Sequence, residues 1–183
     1  MEISQKGKRH FTAGNFVSHA EFVDPPIYGE IVRNNVVRGC VDCLVSNENG
    51  RILLGKRVID PWPDWYTFGG RMVPGESPEE ACARTIKRDL GLEVSPDRFA
   101  FIDVLSNAFD RRQEPPQENG CHDLNLFHLI IVDEKEATLI KMEKAEYGDI
   151  NWFWPKEILL GEIIFHPALK RIIHMSLQQD LFP

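Results

Sequence analysis

The chain has no surplus of positive charge: 21 lysines and arginines face 28 aspartates and glutamates, a formal net charge of −7 over 183 residues. That balance argues against a nucleic-acid backbone as partner, because proteins that grip one present a basic stripe. It does not argue against a nucleotide, for which a few local arginines and a metal ion suffice. Long apolar runs are missing as well. None approaches the roughly 20 residues needed to cross a bilayer, and the N-terminal MEISQKGKRHF holds no apolar signal core. The expectation is a cytoplasmic protein with no membrane partner.

Cysteine is scarce, with 4 residues. Cys40 and Cys43 form a C-x-x-C inside an apolar, strand-like run. Side chains three apart on a strand point to opposite faces, so this pair cannot chelate one ion. Cys121-His122 has no second C-x-x-C to complete a zinc site. These thiols read as structural. No internal repeat is visible.

What is present is a chain long enough to bury one core. Residues 1–24 are mixed and polar and read as an arm or hairpin. Pro25-Pro26 break the chain, and residues 25–183 read as a single domain. A short helix or strand is expected over 28–34 and a strand over 36–45. Asn47-Glu48-Asn49-Gly50 makes a hairpin turn into a second strand. A Pro/Trp-rich loop over 60–65 precedes a brief strand, 66–68, that enters Gly69-Gly70. The helix that follows has clear ends. Ser77 is a good N-cap, Pro78 suits the first position, Glu80 completes a capping box, and Gly91 supplies the left-handed C-terminal residue. Cys82, Ile86 and Leu90 give its apolar stripe. Beyond it lie expected strands over 99–105, 124–132 and 150–154, a polar loop over 106–122 containing His122, and a C-terminal helix over 166–177. Mixed strands with a central and a terminal helix imply an α/β sandwich.

Gly69 to Leu92 read GGRMVPGESPEEACARTIKRDLGL. This stretch resembles the Nudix box, G-x5-E-x7-R-E-U-x-E-E-x-G-U with U apolar. Gly70, Glu76, Arg84, Ile86, Gly91 and Leu92 fall on the pattern, and Asp89 stands where the family has its last glutamate. Thr85 and Arg88 stand where the family carries carboxylates. The resemblance implies a Nudix-like α/β/α sandwich with a mixed sheet, a divalent metal, and hydrolysis of a nucleoside diphosphate linked to another group. Positions 85, 88 and 89 are related as i, i+3 and i+4 and share one helical face. Only one of the three is a carboxylate here, so one Mg²⁺ (or Mn²⁺) is expected rather than several.

Leu53-Leu54-Gly55-Lys56-Arg57, the Pro/Trp loop and Gly69-Gly70-Arg71 are similar to the GDP-mannose mannosyl hydrolase branch. In that branch water attacks the sugar C1 and releases GDP. The resemblance implies a nucleotide-sugar substrate and a homodimer. It implies metal ligation by the Gly69 carbonyl, Asp89 and Glu146, diphosphate binding by Arg71 and Arg57, and substrate contacts from Tyr28 and Asp42. Glu76 and Arg84 would form an internal strut. Where the branch places a histidine base, this chain has Tyr147, a poor base near neutrality. Glu146 and His122 are the candidates for that role. Three activities stay open: attack at sugar carbon, attack at phosphorus (a pyrophosphohydrolase), and a non-catalytic nucleotide-binding module.

Overall fold

A computed structural model describes residues 10–11, 14–21 and 23–183. Its organising strand is β1 (Arg38–Asn47), whose side chains are buried on both faces over most of its length. The Asn47–Gly50 turn reverses it. The Asn47 side-chain carbonyl accepts from the Asn49 and Arg51 N–H groups at 3.1 and 2.9 Å, and Gly50 takes a φ of +77°. The chain returns as β2 (Ile52–Arg57), followed by β3 (Trp65–Tyr66) and β4 (Phe68–Arg71). Three further strands complete one mixed sheet: β5 (Ala100–Phe109), β6 (Cys121–Val132) and β7 (Tyr147–Phe153).

β1 runs parallel to β6, and the other pairings are antiparallel. Its partners away from β6 are two: β4 lies along its first half, with Asp42 opposite Gly69, and β2 pairs with its far end. The two glycines of the motif are therefore part of the sheet, beside the start of β1.

Helices close both faces. A turn α1 (Pro25–Ile27) leads into a π-helical segment, Tyr28–Arg33. α2 (Pro78–Leu90) buries Ala81, Cys82, Ile86 and Leu90 against Val41, Cys43 and Val45 of β1. α3 (Glu134–Leu139) and α4 (Pro155–Leu160) are short, and α5 (Pro167–Gln178) covers the opposite face with Leu169, Ile172 and Ile173 against Leu44 and Phe127. Burying such an aliphatic side chain contributes roughly 1.5–3 kcal/mol. The result is an α/β/α sandwich around a mixed sheet.

The ends of α2 fall where its sequence puts them. Ser77 accepts from the Glu80 N–H at 3.1 Å, Glu80 returns the bond to the Ser77 N–H at 2.7 Å, and Gly91 has φ +68°. The expected loop over 106–122 is shorter than foreseen. β5 continues to Phe109 and β6 begins at Cys121, with Ala108 opposite His122. The outward residues of that ribbon are small or polar, so its sequence looks like a loop. α3 and α4, of 6 residues each, were not foreseen. Described residues before Pro25 carry no strand, and the rest of the expected arm or hairpin lies outside the described residues. Phe16 nonetheless reaches the motif: a methyl group on Gly75 would sit 3.1 Å from its ring.

Candidate functional site

β4 and the loop behind it are held to α2 by one pair. Arg84 Nη2 donates to Glu76 Oε2 at 2.9 Å, Arg84 Nε donates to Glu76 Oε1, and the Val73 N–H donates to Glu76 at 2.9 Å. Arg84 also donates to the Arg71 carbonyl at 3.0 Å. Burial opposes ionisation of Glu76, but these donors hold its carboxyl below the ordinary value. The requirement for glycine at position 69 is steric: a Cβ there would lie 2.3 Å from the Val41 carbonyl oxygen.

One turn further along α2, the face at 85, 88 and 89 meets these glycines. Thr85 is fully buried and spends its hydroxyl on the Cys82 carbonyl at 2.9 Å. Asp89 is 1 % exposed. Its Oδ1 accepts from Arg88 Nε at 2.5 Å, and its Oδ2 accepts from Arg88 Nη2 at 3.0 Å and from the Tyr147 hydroxyl at 3.2 Å. The same Arg88 Nη2 donates to the Gly69 carbonyl at 2.9 Å and lies 4.0 Å from Glu146 Oε1. Burial works against the Arg88 charge, but the Asp89 hydrogen bonds and the charges of Asp89 and Glu146 outweigh it.

The structure thus gathers the three expected metal ligands, Gly69, Asp89 and Glu146, and places a guanidinium among them. Among the described residues no group of three or more His, Cys, Asp or Glu side chains is arranged to hold a metal. The two carboxylates are balanced by two arginines, because Arg57 Nη1 lies 3.6 Å from the other oxygen of Glu146. A dication needs oxygen donors with negative charge to spare. As arranged, the residues leave no uncompensated negative charge for the divalent ion that NUDIX proteins generally use, so the site in this form does not fit the expected Mg²⁺ or Mn²⁺.

Tyr147 is no base either. It is 1 % exposed, burial raises its hydroxyl well above the ordinary value, and that hydroxyl is committed to Asp89.

Beside the Arg88 cluster opens a cleft of about 550 Å³. Arg57, Arg71, Arg88, Glu146, Asp42 and Tyr28 all line it. Arg71 is exposed and lies over the Tyr28 ring, 5.1 Å from its centroid. Asp42 is buried at the base. Thr67 donates to its Oδ1 at 2.9 Å and Asn125 to its Oδ2 at 2.5 Å. Burial pushes the Asp42 carboxyl up to about 7, against those hydrogen bonds and the nearby Arg57 charge. Trp62, Tyr66 and Phe109 supply an aromatic wall. The Tyr66 hydroxyl, Trp62 Nε1 and Arg57 Nε are buried with no hydrogen-bond partner among the described residues.

Other cleft residues went unnoticed in the sequence. Arg38 grips Asp123 with Nε and Nη2 at 2.9 and 2.8 Å, and Arg33 Nη1 joins at 2.9 Å. For Arg38 and Asp123 the signal was strand alternation: Arg38, Cys40 and Asp42 share one face of β1, and Asp123 and Asn125 share that face of β6.

The same alternation removes His122. It lies on β6 with its side chain on the other side of the sheet, exposed, and paired with Ser106 at 2.7 Å. It lines a neighbouring surface concavity, which shares Arg33 and Phe109 with the cleft, and does not itself line the cleft. A base at His122 is corrected on that ground.

The sequence profile described as NUDIX domain matches residues 37–174. The chain belongs to the NUDIX domain family. Within that family, the chain is 32% identical over 116 residues to the nucleoside triphosphatase NudI of an Enterobacter species, covering 60% of this chain and 77% of that one. It is 25% identical over 121 residues to an isopentenyl-diphosphate Delta-isomerase of Corynebacterium diphtheriae, covering 64% of this chain and 63% of the isomerase. Of solved structures, the MutT NUDIX hydrolase from Burkholderia pseudomallei superposes with a TM-score of 0.60 at 21% identity, covering 75% of this chain and 96% of that one. That likeness shows the NUDIX fold. The two relatives are named for different reactions, and neither is named for the mannosyl hydrolase branch. No described helix is long and apolar enough to cross a membrane.

Proposed function

We propose that this NUDIX protein hydrolyses a nucleoside diphosphate joined to a sugar, with water attacking the sugar C1. The observation that carries this is the pairing, in one cleft, of Arg57 and Arg71 with the buried Asp42 carboxyl. A diphosphate leaving group needs fixed positive charge where its own charge develops. Arg71, exposed at the mouth, and Arg57, deeper in, supply it. A base for water works best with a pKa near the working pH. Asp42, at about 7, meets that condition better than Glu146, whose two oxygens face Arg57 and Arg88.

In the proposed step the water oxygen bonds to C1 and its proton passes to Asp42. The C1–O bond breaks, and its electron pair stays on the diphosphate oxygen. The unpartnered Trp62 Nε1 and Tyr66 hydroxyl offer two hydrogen bonds to hydroxyl groups of the sugar. The aromatic wall suits the faces of a sugar or base.

A second reading, attack at phosphorus, is favoured by the exposed part of Glu146 in the cleft and by the nucleoside triphosphatase relative. The test is a nucleotide-sugar and nucleotide panel run in oxygen-18 water with products weighed. Label in the free sugar is expected. Label in the phosphate product overturns attack at carbon, and binding without turnover overturns catalysis. A homodimer, implied by the resemblance, is checked by sedimentation of the same sample.

A further inference from the structure

We infer that the Arg88 guanidinium is the resident cation of this site, seated on the Gly69 carbonyl, Asp89 and Glu146 in place of a divalent ion, so that the chain binds a diphosphate without metal. The inference rests on reading the cleft as a diphosphate site, but its central claim about the cation does not depend on turnover.

The geometry is specific. Nε and Nη2 of Arg88 between them meet both oxygens of Asp89 and the Gly69 carbonyl, and Nη2 points toward Glu146. These are the atoms that the motif would otherwise offer to a metal. They are held from behind. Tyr147 donates to Asp89, Arg57 flanks Glu146, and Gly69 is locked in the sheet opposite Asp42. The arginine is therefore part of a closed set of contacts.

The remaining donors face outward. Nη1 gives no hydrogen bond to any described residue, the Arg88 side chain is 41 % exposed, and the residue lines the cleft beside Arg71. Three of the five guanidinium N–H groups are engaged by Asp89 and Gly69, and the two on Nη1 remain to donate to a phosphate oxygen. The guanidinium differs from a metal in one chemical respect. It stays protonated and cannot bind water and acidify it. Metal-free activation of water then falls to a carboxylate, which agrees with a base at Asp42 while not depending on it.

The test begins with the unaltered protein and no nucleotide. Mn²⁺ is titrated while free ion is followed by electron paramagnetic resonance, with melting temperature read alongside. No Mn²⁺ bound at millimolar metal, and no rise in melting temperature, is expected. The variants Arg88→Ala and Arg88→Glu, shown folded by circular dichroism, are expected to gain one Mn²⁺ site that a second substitution, Asp89→Asn, removes. Mn²⁺ bound by the unaltered chain and lost in Asp89→Asn overturns the inference, as does absence of a new site in both folded Arg88 variants.

Calorimetry with ADP and GDP gives a second arm. Affinity in EDTA and in Mg²⁺ is expected to agree within about fivefold, the lower edge of a real coupling between two ligands. Arg88→Ala is expected to weaken binding about tenfold or more, the usual effect of deleting a charged hydrogen bond. A gain above about fivefold from Mg²⁺ in the unaltered chain overturns the inference. If neither nucleotide binds, the functional reading fails, and the Mn²⁺ titration alone still decides the role of Arg88.

Discussion

Arg84 and Arg88 stand one turn apart on the same helix, and each pairs with an acid of the same motif, yet the surroundings give the pairs different work. Arg84 bridges outward to Glu76 and the Arg71 carbonyl, with 40 % of its side chain exposed, and ties a loop to a helix. Arg88 turns to Asp89, which is buried and also bonded by Tyr147, and closes a pocket of oxygens beside the cleft. The first pair follows the NUDIX pattern and holds shape. The second departs from it and supplies charge. An arginine in a carboxylate's place need not mark decay when its nitrogens reach the same atoms that a metal would serve.

The comparison breaks most sharply at Asp89. Replacing it by alanine leaves the buried Tyr147 hydroxyl without its acceptor and Arg88 without its counterion, beside a second acid that remains. Losing one partner of such a buried pair costs about 3–5 kcal/mol. The partial exposure of Arg88 lets its charge rehydrate, so a loss of about 3 kcal/mol is expected in urea unfolding, at the low end of that range. A loss no larger than that of the Glu76–Arg84 pair would mean that the two pairs are equivalent.

How far this could be read beforehand differs along the chain. The Asn47–Gly50 hairpin and the ends of α2 were legible because each is decided by local chemistry: a turn side chain, a cap, a left-handed glycine. The cleft was legible as far as the family resemblance extends. Tyr28, Asp42, Arg57, Arg71 and Glu146 do come together there. Arg33, Arg38 and Asp123 did not announce themselves, since their ion pairs join residues 85 and 90 positions apart. The direction of Arg88 was likewise invisible. Helical spacing puts 85, 88 and 89 on one face, but only the approach of β4 and of Glu146, just before β7, shows that a guanidinium at 88 can reach oxygens of all three residues, Gly69, Asp89 and Glu146. His122 was misplaced because its segment reads as a loop, in which no sheet face is assigned, whereas it belongs to β6 and alternation turns it away from the cleft.

The buried acid of the cleft offers a sharper contrast with the strut, through pH. Burial raises Asp42 to about 7, so above an ordinary acid pKa the folded chain holds a proton that the unfolded chain releases. Stability from this group is full at low pH and is lost as pH rises through about 7. The neutral variant Asp42→Asn has no such loss. Relative to the unaltered chain it is expected to gain about 2 kcal/mol at pH 8 and nothing near pH 4, less than the full shift would give because one acceptor is lost. Urea unfolding at the two pH values measures it. A difference that does not change with pH would show that Asp42 is ionised throughout.

Glu76 should behave in the opposite sense and more weakly. Its carboxyl is held below the ordinary value by Arg84 and the Val73 N–H despite burial, so its contribution is present above the unfolded pKa and fades as pH falls through the lowered folded one. An exposed arginine pair contributes about 0.2–1 kcal/mol, and Glu76→Gln is expected to cost about 0.5 kcal/mol at pH 7 and less near pH 3. Its larger effect belongs to the loop. Arg84 reaches both Glu76 and the carbonyl of Arg71, so loosening the strut frees the segment that carries Arg71, the arginine proposed to bind phosphate. Nucleotide affinity should fall more in Glu76→Gln than its small stability change would suggest. Loss of stability without loss of affinity would mean that the loop is positioned by β4 alone.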